Sequence, residues 1–125
     1  MAITSAICSS FKQEVLVGTH NFTVTSGNSF KLALYTSSAT LGAATTAFTT
    51  TGQASGTNYT SGGNALTNIT PVLSGTTAVC DFADLTFGTA TVTARGCMIY
   101  NDTNSDKAVA IIDFGGDKTS TAGDF

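Results

Sequence analysis

The spacing of apolar positions changes near residue 18. Before it, Ile3, Ile7, Phe11 and Val15 recur every fourth position, which places them on one stripe of a helix over residues 3–17. Thr4 or Ser5 can cap its start, and Gly18 suits its end. After it, the period drops to two. Residues 21–25 alternate as NFTVT. Residues 29–36 (SFKLALYT) put Phe30, Leu32 and Leu34 on one face and Lys31, Ala33 and Tyr35 on the other. Residues 37–63 hold only short extended pieces around Phe48 and Tyr59, and their β-branched threonines favour extended backbone over helix. Residues 64–73 alternate again, but Pro71 has no N–H to donate, so this strand lies at an edge or breaks there. A turn at Ser74 and Gly75 leads into residues 77–82. The strongest strands are residues 92–100 and 107–114, joined by the turn cluster Asn101 to Asp106. The second of these runs AVAII and is expected at the centre of a sheet. The pattern predicts a mainly β fold, a β-sandwich or jelly-roll-like barrel of about seven or eight strands with one N-terminal helix. Residues 1–18 form the helix or arm, and residues 19–125 form a single β domain.

Composition narrows the function classes. The chain has 125 residues, of which 10% are charged, against about 25% in an ordinary soluble domain. Thr (24), Ser (12) and Gly (13) make up nearly two fifths of it. Five Lys and Arg against eight Asp and Glu give a net charge of −3, with no basic arm to neutralise phosphates, so nucleic-acid binding is not expected. No apolar run reaches about 18 residues, so no membrane-spanning helix is expected, and the N-terminus lacks the pattern of a secretory signal.

The charge is distributed unevenly. Residues 32–80, a run of 49, contain no Asp, Glu, Lys or Arg, and ten of the 13 charged residues lie from Asp81 onward. Some of that run must be surface, and its surface is hydroxyl, amide and methyl. Such a surface carries no ionic desolvation penalty, which suits an interface. The contact residues expected from it are Thr49, Thr57, Asn58, Tyr59 and Asn64, with Phe11 of the helical stripe docking on the domain or on a neighbouring copy.

Candidate chemistry is sparse. His20 is the only histidine and has no sequence-near nucleophile or acid arrangement, so it reads as a loop or strand-start residue. Asp81 and Asp84 read as turn acids, Asp102 and Asp106 as capping acids of a hairpin, and Asp113 and Asp117 as flanks of a Gly-Gly turn without a calcium-loop spacing. Cys8, Cys80 and Cys97 show neither a disulfide framework nor a zinc spacing. They are expected as buried, reduced thiols, the other possibility being a Cys80–Cys97 bridge. Arg95, the only arginine, is expected to reach Asp81, Asp113 or a partner's carboxylate. The four Asn-x-Thr tripeptides are explained by the abundance of threonine. Catalytic residues, a metal and a cofactor are not expected.

Six stretches resemble a widespread family of small virion proteins of tailed bacteriophages. They are SSFKQEVLVGTHNF (9–22), SFKLALYTSSATL (29–41), TTTGQASGTNYTSGGNALT (49–67), CDFADLTF (80–87), TARGCMIYND (93–102) and KAVAIIDFGGDKTSTAGDF (107–125). The resemblance covers most of the chain in order. It implies a non-enzymatic virion protein, made in the host cytoplasm and similar to capsid decoration (cement) proteins. Its partners would be the major capsid protein and sister copies of itself in a homo-oligomer. Related sequences are also described as tail or fibre components, and that alternative implies exposed loop aromatics such as Phe48 or Tyr59. Synthesis in the cytosol implies reduced cysteines.

Overall fold

The framework comes from the C-terminal third. The computed structural model describes residues 2–125. The chain runs β1 (Ala6–Ile7), α1 (Ser9–Leu16), β2 (Phe30–Tyr35), β3 (Gly56–Thr57), β4 (Asn64–Ala65), β5 (Asn68–Ser74), β6 (Thr77–Phe82), β7 (Ala90–Asn101) and β8 (Lys107–Gly123). Six strands form one antiparallel sheet in the order β1-β8-β7-β2-β4, with β3 also pairing with β7; β5 and β6 form a separate two-strand hairpin. The fold is mainly β with one short N-terminal helix. The sheet does not close, so the barrel expected from the strand pattern is not formed.

The central strand is β7, which pairs with β8 on one side and with β2 and β3 on the other. The AVAII strand, β8, sits one place further out and is flanked by the two-residue β1. It also runs past Phe114 to Gly123, well beyond the expected end. The extension passes through an irregularity: Gly96 faces Asp113 but Ala94 faces Lys118, so β8 carries extra residues between those pairs. Gly115, at φ +80°, lets the backbone turn there. Close approach is also required at Gly96, where a Cβ would meet the Ile112 carbonyl at 2.5 Å and the Ile3 side chain at 2.9 Å.

Both faces of the sheet are covered by coil rather than by a second sheet. On one face Ala33, Tyr35, Met98, Tyr100 and Ile111 pack with Ile3, Cys8, Ala39 and Leu41. On the other, Leu34, Val92, Ala94 and Cys97 pack with Ala54, Tyr59 and Phe87. The alternation in β2 divides as the sequence predicts, with Leu32 and Leu34 on the second face and Ala33 and Tyr35 on the first. A third group joins the sheet to the hairpin: Phe30 stacks on Phe22 at 4.3 Å between ring centroids, and Phe82 lies 5.7 Å from Phe30.

Two sequence expectations fail in the N-terminal quarter. The helix is half the expected length. Its first turn is replaced by extended chain, because the edge of β8 and the loop at Leu41 take up those backbone groups: Thr4 N donates to Leu41 O (3.0 Å) and Cys8 N to Val109 O (3.0 Å). A short isolated helix is marginal in water, so sheet pairing wins. The stripe is thereby split. Ile3 is buried and Phe11 half-buried, while Ile7 (50%) and Val15 (41%) are exposed. Gly18 ends the helix at φ +79°, as expected. Residues 21–25 are a loop instead of a strand. The Asn21 side chain accepts from Thr23 N, and its carbonyl accepts from Asn28 N, so local hydrogen bonds fold the segment back on itself.

Candidate interaction surface

Of the six contact residues expected from sequence, the structure leaves two fully at the surface. Thr57 and Asn58 are exposed on the β3 turn, which is held by pairing of Gly56 and Thr57 with Val92 and Thr91. Asn58 has a structural task as well. It sits at φ +60°, where asparagine is better tolerated than most residues, and its Nδ2 donates to Thr89 O at 2.9 Å. Thr49 is half-buried and its carbonyl accepts from the Tyr35 hydroxyl at 2.6 Å. Asn64 is half-buried in β4 opposite Leu32.

Tyr59 is a correction. It is 8% exposed and belongs to the core of the second face. Its hydroxyl donates to Gln53 Oε1 and accepts from Leu34 N, both at 2.9 Å. It therefore satisfies the Leu34 amide at an edge of β2 where Ala54 N donates to Leu34 O and Thr36 N donates to Gly52 O, and burial pushes its pKa up. Phe48, the other loop aromatic, stacks on Tyr100 at 4.7 Å. Phe11 is half-buried against His20 and Phe22, with centroids at 4.8 and 6.0 Å.

The uncharged run does form surface. A shallow groove of about 440 Å³ beside β3 is lined by Thr36, Ser55, Gly56, Thr57, Thr91 and Thr93 among others, and no charged side chain lines it. A second, of about 600 Å³, lies between residues 2–4 and residues 40–49 and is lined by Thr, Ala, Gly and Leu. Six of the 13 charged side chains lie elsewhere in ion pairs. Arg95 Nε donates to Asp113 Oδ1 at 3.0 Å, which selects one of the acids expected from sequence. Hydrogen bonding by Gly115 N–H, together with Arg95, holds Asp113 below the usual carboxylate range. Lys31 lies 3.8 Å from Asp102 and Lys107 3.6 Å from Glu14.

His20 is buried with two partners. Its Nε2 lies 2.9 Å from Glu14 Oε1, and its Nδ1 lies 3.0 Å from Asn101 Nδ2. Among the described residues, no three His, Cys, Asp or Glu side chains gather in a way that could hold a metal ion, and no helix is long and apolar enough to cross a membrane. The cysteines are free thiols, and no Cys80–Cys97 bridge forms. Cys8 and Cys97 are buried as expected, but Cys80 is exposed on β6.

The surface that sequence reasoning missed is the β5–β6 hairpin. Residues 69–81 are all exposed, on both faces of the hairpin, including Ile69 (44%), Val72 (60%), Leu73 (75%) and Val79 (40%). Alternation identified both strands but carries no information on whether anything covers them. The available signal was the pair Val72 and Leu73, adjacent apolar residues that must point to opposite faces of a strand. No family model, curated protein or solved structure matches the chain.

Proposed function

We propose that the protein is a non-enzymatic structural component of a bacteriophage virion, a capsid decoration (cement) protein that is made in the host cytoplasm and binds the outside of the assembled shell. It bridges neighbouring copies of the major capsid protein and contacts sister copies of itself. The observation that carries this reading is the uncharged, hydroxyl-lined groove beside β3, formed by Thr36 and residues 55–57 of the charge-free run together with residues 91–93 of β7. Neutral hydroxyls and amides are desolvated at low cost, so many shallow contacts of this kind are favourable when repeated over a symmetric shell. Binding the assembled state alone stabilises it by mass action. The six quoted stretches that resemble phage virion proteins support the same reading.

Nucleic acid and membrane have no part in it. Three of the five cations lie within 4 Å of carboxylates, which leaves no basic face. The rival reading, a tail or fibre component that presents Phe48 and Tyr59 to a host surface, loses its motivation because both rings are packed. The proposal extends to the finer architecture: coil covers each face of the sheet where a sandwich or jelly-roll-like module would place a second layer. Electron cryomicroscopy of intact virions tests the function. Density for this fold outside the shell, at junctions between capsid subunits, is the expected result. Density confined to the tail, or none, overturns it.

A further inference from the structure

We infer that the open edge of β6 is a self-association surface, through which two copies join their β5–β6 hairpins by antiparallel β6–β6 pairing centred on Val79. The product is one four-strand sheet across a two-fold axis. The pairing gives a place to the sister-copy contact of the proposed function, but it is argued from the hairpin alone, so its test does not depend on the virion reading.

The hairpin has two long edges, and they are not equivalent. The β5 edge is obstructed. Pro71 lacks an N–H, the register shifts between Ile69 and Val72, and the 21–28 loop lies alongside: Val24 N donates to Thr70 Oγ1, and Asn68 Nδ2 donates to Asn28 O. The β6 edge has none of these devices. Thr77–Phe82 is regular, contains no Pro or Lys, and carries one charge, Asp81. Proteins normally blunt such an edge with lysine, proline or a bulge. Among the described residues, no strand pairs with it. The Ser74–Thr77 pair closes a two-residue turn, so alternation directs the backbone groups of Thr77 and Val79 towards β5. Those of Ala78, Cys80 and Phe82 point to the open edge. Phe82 N–H turns to the neighbouring Asp81 carboxylate for want of a strand partner.

A second copy of this chain fits that edge by chemistry. With Val79 opposite Val79 of the partner subunit, Ala78 and Cys80 of the two copies face one another and exchange backbone hydrogen bonds. Val72 pairs with Val79 inside each hairpin, so a row of four valines then crosses one face of the joined sheet. Asp81 falls opposite the partner's Thr77, which leaves the two Asp81 carboxylates well apart. That matters for a chain of net charge −3, whose copies otherwise repel. A charged partner has nothing to recognise on this edge beyond Asp81. Pairing also addresses the hairpin's own weakness, since two strands alone are marginal in water and three or more are not.

The contact is small. It covers on the order of 400–500 Å² per copy, within the range of weak, transient interfaces. Association is therefore concentration-dependent in solution and becomes firm where copies are held side by side.

The test is sedimentation of the full chain over about 10 µM to about 1 mM, a span in which a weak homodimer populates. Wild type is expected to pass from monomer to dimer. Val79→Lys and Val79→Glu, which oppose like charges at the axis, should each weaken association at least about tenfold. An equimolar mixture of the two should dimerise again. Restoration by mixing also shows that the variants fold. In parallel, a short bis-maleimide should link two copies of wild type through Cys80, and a Cys80→Ser variant should give no linked dimer. A monomer at every concentration with no linked product overturns the inference and assigns the hairpin to another partner. So does a dimer that survives Val79→Lys, or a mixture that stays monomeric.

Discussion

The side-chain amide of Asn101 fixes the tautomer of His20 from the far end of the chain. Asn101 Oδ1 accepts from Thr103 N (3.1 Å) and Asn104 N (3.2 Å), so its Nδ2 must face the imidazole. An amide nitrogen only donates, so Nδ1 of His20 is the acceptor at 3.0 Å and Nε2 carries the hydrogen given to Glu14 at 2.9 Å. One buried chain of hydrogen bonds thus ties α1, the coil after it and the β7–β8 turn together.

Replacing Asn101 with Leu should therefore destabilise the fold by about 2–4 kcal/mol, because it strands the turn amides and His20 Nδ1 without partners. Urea unfolding followed by far-ultraviolet circular dichroism measures it. A loss under about 0.5 kcal/mol would show that water replaces all of these partners.

The Arg95–Asp113 pair makes a prediction in pH. Asp113 titrates lower in the folded chain than unfolded, held down by Gly115 N–H and Arg95. Its contribution is complete at pH values above the unfolded carboxylate range and disappears as pH falls through the lowered folded value. Asp113→Asn should thus be less stable than wild type at neutral pH, and the difference should shrink on acidification. A gap that is constant from pH 7 to strongly acid solution would separate the effect from ionisation.

The thiols should divide one against two. Partial burial and the neighbouring Asp81 raise Cys80 as well, but it is exposed, whereas Cys97, pushed up to about 12, and Cys8, also raised, are both buried. A chromogenic disulfide reagent at about pH 8 should titrate one thiol quickly in the native protein and all three after denaturation, since thiolate fraction and access both control the rate. Two fast thiols in the native state would contradict the burial of Cys8 or Cys97.

Much of the sheet was legible because its strongest signals are local. The turn residues Asn101 to Asp106 and the Ser74–Gly75 turn bracket alternating apolar runs, and β6 was expected and found at Thr77–Phe82. What was not legible depends on distant partners. Ala6 and Ile7 are strand only because Ile111 and Ala110 lie beside them; as a sequence they belong to a helical stripe. Tyr59 reads as a loop aromatic until the Leu34 amide is brought to its hydroxyl. His20 shows its partners only in the fold: Glu14, six positions back, is brought to it by the helix end, and Asn101 is 81 positions away. Apolar alternation likewise reads the same in a covered strand and in a bare hairpin.

Within the expected contact surface, Thr57 is the residue to charge. It is exposed and its side chain has no internal hydrogen-bond partner among the described residues, while Asn58 holds a left-handed turn and a bond to Thr89. Thr57→Glu should change stability by less than about 0.5 kcal/mol, as surface substitutions usually do. It should still reduce incorporation into shells that lack the protein, because every copy would bury an unpaired carboxylate. Occupancy measured by gel densitometry of purified particles decides it, and full occupancy with wild-type heat resistance would move the contact away from the β3 groove.

The placement of β1 has a consequence for the order of events on the ribosome. Ala6 and Ile7 pair with Ile111 and Ala110, so a segment that emerges early has its partner about a hundred residues later in the chain. The β7–β8 hairpin closes across a short turn and can zip as soon as both strands are out. Until β8 has been made, Ala6 and Ile7 have no strand partner. Loop closure over so long a separation comes late. A kinetic experiment should therefore find substitutions in the 101–106 turn slowing folding, and those in β1 mainly speeding unfolding.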